Sequence, residues 1–120
     1  MSVSESKGER LRVASCQFPV TGDIRRNASY IRRYLARAAE AGAHVLHTSE
    51  ACLSGYANKD VPSFANYDWG LLRQETARLR ALTAELGLWL VLGSAHYLDE
   101  ATKPTNCLYL INPQGGIEDR

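Results

Sequence analysis

The chain has 120 residues, 45% of them apolar and 22% charged, a globular balance that excludes a low-complexity tail, a collagen-like fibre and a charged disordered linker. Fourteen basic residues against thirteen acidic ones give a formal net charge of +1, which supplies no pull toward nucleic acid or an anionic membrane. No run of about 18 apolar residues occurs, so no membrane-spanning helix is expected, and the length allows one domain.

Residues 1–10 are polar and charged. They lack the apolar core of a secretion signal, so a disordered leader and a cytoplasmic location are expected. Leu11 to Phe18 is short, apolar-rich and stopped by Pro19, which reads as a first strand. Asp23 then offers a carboxylate to the open N–H groups of a helix start. From Ile24 the apolar residues recur at three- and four-residue steps, through Ala28, Ile31, Leu35 and Ala38, with Gly42 as the stop. Arg25, Arg26, Arg32, Arg33 and Arg37 fall mostly off that face and read as solvated. Ala43 to Thr48 is a second strand. Strand, helix and strand make a βαβ unit, with the two strands parallel and the crossover right-handed.

Ala51 to Asp68 is too long for a plain connector, and long loops in compact domains are often functional. A second helix is expected from Trp69 to Leu86, buried along Leu72, Leu79, Leu82 and Leu86 and ended by Gly87. Leu88 to Tyr97 is almost wholly apolar, the mark of a strand covered on both sides. Asn106 to Asn112 is a fourth strand, antiparallel to the third across a short polar turn. Order then stops at Ile117 to Arg120. The pattern is βαβαββ, an α/β fold. Two helices cover only one face of four strands, so the sheet is expected to belong to a larger domain or to pack on another sheet.

The motifs of dinucleotide binding, phosphate transfer, serine hydrolysis and zinc proteolysis are all absent. His44, His47 and His96 have no metal-ligand spacing, and Cys16, Cys52 and Cys107 are odd in number and widely spaced, so they read as buried apolar side chains. Trp69 and Trp89 read as packing residues. No metal or cofactor is called for. The informative position is Glu50, at the carboxyl end of the second parallel strand, where ligands collect in open α/β sheets. A carboxylate there can be partly desolvated and so suited to base work. The structural alternative is a glutamate that caps or ion-pairs a strand end.

The stretch Ser49-Glu50-Ala51-Cys52-Leu53-Ser54-Gly55-Tyr56 resembles the edge of strand two in the nitrilase (carbon–nitrogen hydrolase) superfamily. The likeness is colinear from about Leu11 to Arg120. It takes in Val13-Ala14-Ser15-Cys16-Gln17, Gly22-Asp23 with Asn27, Ala41-Gly42-Ala43, Val91-Leu92-Gly93-Ser94, and Asn106 to Ile111 with Pro113 and Gly115. It implies the amino-terminal part of an α-β-β-α sandwich, with residues 11–120 a partial domain incomplete at its carboxyl end. It also implies catalysis by Glu, Lys and Cys, with Glu50 as the general base and Tyr56 and Asn106 as substrate-binding residues. Lys7, Lys59 and Lys103 do not match the family lysine, which follows the fourth strand. No cysteine present matches the nucleophile, and Cys52, two residues from Glu50, should not meet it. Thr48 and Ser49 stand where the family has Phe-Pro.

The resemblance thus implies an amide, N-carbamoyl or nitrile substrate, no activity for residues 1–120 alone, and a homo-oligomer when full length. The rival reading is a small non-catalytic α/β module that binds a ligand at the strand edge.

Overall fold

The first helix is built by its sequence pattern. In the computed structural model, which describes residues 10–120, α1 (Ile24–Glu40) buries Ile24, Ala28, Ile31, Leu35 and Ala38 on one face. Its N-cap is Asp23, whose carboxylate accepts from the Arg26 amide at 3.1 Å. Its exit is a Schellman turn: Gly42 N–H donates to Ala39 and Ala43 N–H to Ala38, with Gly42 at φ 77°, a conformation that favours glycine. The leader expected over residues 1–10 lies outside the described residues except for Arg10.

The sheet is laid down in chain order. Its strands are β1 (Val13–Ser15), β2 (Val45–His47), β3 (Trp89–His96), β4 (Thr105–Ile111) and β5 (Ile117–Asp119), adjacent in that order. β1, β2 and β3 are parallel, and β3–β4–β5 is an antiparallel meander. The second helix, α2 (Trp69–Leu86), spans the residues expected of it and is capped by Asp68 and Gly87. Both helices join one core with Leu46, Leu90, Leu92, Tyr109 and Ile111 of the sheet.

Several details differ from expectation. β1 is shorter than Leu11–Phe18, because beyond Cys16 N–H, which donates to His47, the chain leaves the ladder. β2 starts at Val45 and not Ala43, because the Ala43 amide is used in closing α1. The buried line of α2 runs through Leu72, Glu75, Leu79 and Thr83, leaving Leu82 and Leu86 half-buried. Glu75 is buried because Arg32 and Arg78 each hold one of its oxygens at 2.9 Å, so a charge inside is paired twice.

A further difference is β5, which sequence reasoning missed. Asn112 shapes the turn that makes it, its side-chain oxygen accepting from the amides of Gln114 and Gly116, both at 2.9 Å.

Strand alternation leaves the other sheet face open. Val13 and Leu108 are 54% and 49% exposed, and Val45, Trp89, Val91 and Leu110 on the same alternation are half-buried. β3 is therefore not covered on both sides by the described residues. Its second face is apolar and only half-covered at Trp89 and Val91, while Gly93 is buried under the segment that follows β2. No helix among the described residues is long and apolar enough to cross a membrane.

Candidate active site

Parallel strands end at the edge where β2 gives way to a tight turn, and that turn is anchored to β3. The Thr48 amide continues the ladder to Val91 O at 3.0 Å. Its buried hydroxyl donates to the same carbonyl at 2.9 Å and accepts from Gly93 N–H at 3.0 Å. Gly93 carbonyl in turn accepts from Leu53 N–H at 3.0 Å. A Cβ on Gly93 would lie 2.1 Å from the Ser49 carbonyl oxygen, so only glycine lets β3 run this close to the turn. Ala51 sits at φ 54°, in the left-handed region that L-residues enter rarely, and this bend throws residue 50 outward.

A second anchor comes from α1. Asn27 is fully buried and donates to Thr21 O at 2.7 Å and Leu53 O at 3.1 Å, while its own oxygen accepts from Thr21 N–H. An amide side chain with donors and acceptor all used inside a core fixes geometry, since an unpaired one would be strongly unfavourable. The 48–55 turn is thus tied to β3 on one side and to the start of α1 on the other.

Glu50 stands on this turn and is joined by the two other residues the sequence singled out. Asn106, on β4, donates its side-chain amide to Glu50 Oε2 at 2.6 Å. The Glu50 carboxylate, by hydrogen bonding and by its negative charge, raises the phenol of nearby Tyr56 above the ordinary tyrosine range. Tyr56 is itself held by a local turn, its amide donating to Asp60 Oδ2 at 2.9 Å and its carbonyl accepting from the Asp60 amide.

The carboxylate opens onto a groove of about 740 Å³ that His47, Lys103, Asn106, Leu108 and Arg120 also line. Glu50 is exposed there, so the desolvated carboxylate expected at this strand end is not found in residues 10–120. The two helices lie on the other side of the sheet, and nothing among the described residues roofs the groove.

Of the three thiols, Cys107 lines this groove and Cys16 and Cys52 do not. All are free and buried. Burial pushes Cys16 up to about 11 and raises Cys52 and Cys107 as well, which disfavours the thiolate a nucleophile needs. Cys52 turns into the core toward Gly93 O, away from exposed Glu50. His44 accepts from the Arg12 amide. His96 pairs with the Tyr109 hydroxyl at 2.7 Å and with the Arg120 guanidinium, and burial and that cation lower its pKa. Among the described residues no group of three His, Cys, Asp or Glu side chains could hold a metal ion. Trp69 packs against Tyr97 and Tyr67.

Sequence reasoning did not single out Thr48, Asn27 or Gly93 as the supports of Glu50. A signal existed for the last: a glycine inside an otherwise apolar strand marks a close backbone approach.

Comparison with known proteins places this geometry. The carbon-nitrogen hydrolase family profile matches residues 12–120. No curated protein sequence matches. The crystal structure of an amidase from Nesterenkonia sp. superposes with a TM-score of 0.76 at 25% identity, over 93% of this chain and 42% of that one. A mutant of the amidase from Nesterenkonia sp. AN1 in complex with butyramide gives 0.78 at 26% identity, over 92% and 42%. A glutamate-to-leucine mutant of that amidase, with the acetamide moiety of fluoroacetamide added covalently at the active site cysteine, gives 0.78 at 25%, over 91% and 41%. The chain spans about two fifths of the length of these amidases.

Proposed function

The chain belongs to the carbon-nitrogen hydrolase family, and from that premise we propose that it is the part of a thiol-dependent amidase that carries the general base, Glu50. The observation that carries this reading is convergence. Asn106 of β4 meets, at Glu50, a carboxylate from the segment after β2 that also raises the phenol of nearby Tyr56.

In the proposed reaction Glu50 accepts the proton of a cysteine thiol. The thiolate attacks the carbonyl carbon of an amide, and a lysine stabilises the negative charge that develops on the oxygen. The amine departs with a proton, leaving a thioester, and a water activated by the same carboxylate releases the acid. Covalent catalysis replaces one high barrier by two lower ones, and a fixed cation near the oxygen contributes to lowering both.

Neither the thiol nor the lysine is assigned to residues 1–120. The three cysteines are buried with raised pKa values. Lys103 lines the groove, but it precedes β4, whereas the resemblance puts the lysine after it. We assign both groups to sequence beyond residue 120, and assign the half-covered sheet face around Trp89, Val91 and Leu108 to contact with the second sheet of a sandwich. Residues 1–120 alone are therefore expected not to hydrolyse amides. An amide or N-carbamoyl compound is the proposed substrate class in preference to a nitrile. The amidase complexes with butyramide and the acetamide moiety support an amide.

The test is Glu50→Gln in the longer protein. Glutamine keeps the size and the acceptor for Asn106 but cannot take a proton. Acylation, read as ammonia released and as covalent mass on the enzyme, should fall by about 10²- to 10⁴-fold, the usual contribution of a general base. Normal turnover would refute the assignment.

A further inference from the structure

Asn106 was expected, from the resemblance, to bind substrate. Its geometry points elsewhere: we propose that Asn106 is a positioning residue for Glu50, holding one carboxylate oxygen so that the other faces the thiol. The inference rests on the general-base reading of Glu50.

The carboxylate needs such a support. Glu50 is exposed and leaves the chain one residue before a left-handed bend at Ala51. A free glutamate side chain there samples several rotamers, and ordering it has an entropy cost. Most of those rotamers point the oxygens away from any single proton donor. Proton transfer requires donor and acceptor within hydrogen-bond reach in one orientation.

Asn106 supplies that restraint from a rigid element. It lies on β4 opposite Ala95 of β3, inside a ladder that runs unbroken from Leu90↔Ile111 to His96↔Thr105. Its amide meets Glu50 Oε2 at 2.6 Å, a short charge-assisted bond of the stronger class. Oε1 is left without a side-chain partner among the described hydrogen bonds. The chemistry of the residue suits the task. A carboxamide does not titrate, so it orients the base without competing for the proton, as a lysine or histidine in its place would. Among the described hydrogen bonds, Asn106 is the side chain that holds this carboxylate. One of the two Asn106 N–H donors is committed to Glu50, which leaves a single one for any other partner.

Two measurements test this. In residues 1–120, the hydrogen-bonded side-chain amide proton of Asn106 should resonate downfield by NMR and move upfield in Glu50→Leu. An unchanged resonance would overturn the contact. In the longer hydrolase, Asn106→Leu should lower kcat about tenfold while KM stays within twofold, and Asn106→Gln, which keeps the donor, should recover part of kcat. Should Leu disturb folding, Asn106→Ser serves as the smaller replacement with the same split expected. A raised KM at unchanged kcat would return Asn106 to substrate binding and overturn the proposal. Glu50→Gln is measured alongside. If it is inactive and Asn106→Leu is normal, the positioning role alone fails. If Glu50→Gln is itself active, the general-base reading fails and the positioning role with it.

Discussion

The two faces of the sheet are finished to different degrees. On the helix side every layer is closed: Ile31, Leu35, Leu46, Leu79, Leu90 and Leu92 are essentially inaccessible, both helices are capped by aspartates, and even the buried Glu75 has an arginine on each oxygen. On the other side Val13 and Leu108 are about half exposed, and the residue proposed to do the chemistry, Glu50, is exposed as well. Stability and reactivity have been assigned to opposite faces. The closed face holds the turn that carries Glu50, and the open face leaves that carboxylate reachable. Substitutions on the two faces should therefore behave differently, and the largest effect belongs to the closed one.

Leu35→Ala removes a fully buried side chain from the middle of α1. The lost burial and the cavity together should cost about 3 kcal/mol of unfolding free energy. A urea titration of residues 1–120 would show this as a lower midpoint at unchanged slope. A loss below about 1 kcal/mol would mean that the α1 stripe is not packed as described, and the contrast between the faces would fail.

Gly93→Ala comes next, because it strikes where the closed face supports the open one. The new methyl group would meet a backbone carbonyl, Ser49 O, at 2.1 Å. No side chain can swing aside to relieve that, so the 48–55 turn must move. Overpacking of this kind typically costs 1–3 kcal/mol, and about 2 kcal/mol is expected here. The more telling readout is local: the Asn106 amide resonance should lose its downfield position as Glu50 shifts with the turn. A variant that keeps both stability and that resonance would show that the close approach does not govern the site.

How much of this was legible in the sequence depends on the range of the interaction. The α1 stripe, its aspartate cap and its glycine stop are local signals, and the structure reproduces them. α2 was read to the residue at both ends, yet its buried line was misjudged at Glu75 and Thr83. Glu75 is buried between Arg78 of its own helix and Arg32 of the other, and no periodicity encodes the pairing with Arg32. Thr83 satisfies its hydroxyl on Leu79 O, one turn back. β5 escaped because three residues with a single apolar member carry no strand pattern. Its cause, the Asn112 turn, is a matter of side-chain geometry. At the site, Glu50 was visible from its place after an apolar strand, and Tyr56 and Asn106 from the resemblance alone. That Asn106 touches Glu50, 56 positions away, follows from the β2–β3–β4 order and could not be read from either residue.

The smallest effect is expected on the open face, and it is the one that decides what that face is for. Leu108→Ser changes an apolar side chain that is 49% exposed and sits opposite Gly93. In residues 1–120 little burial is lost, so stability should change by no more than about 0.5 kcal/mol. Self-association should weaken, since an exposed apolar sheet face favours contact between copies, and sedimentation of the two proteins would measure this. In a longer protein whose second sheet covers Leu108, the same substitution would remove a buried side chain and should cost about 2 kcal/mol. A loss of that size already in residues 1–120 would mean the face is covered without any further sheet. An absence of cost in both contexts would mean that nothing packs there at all. Only the combination of a small effect in the short chain and a large one in the long chain fits a sheet that is finished by residues outside 1–120.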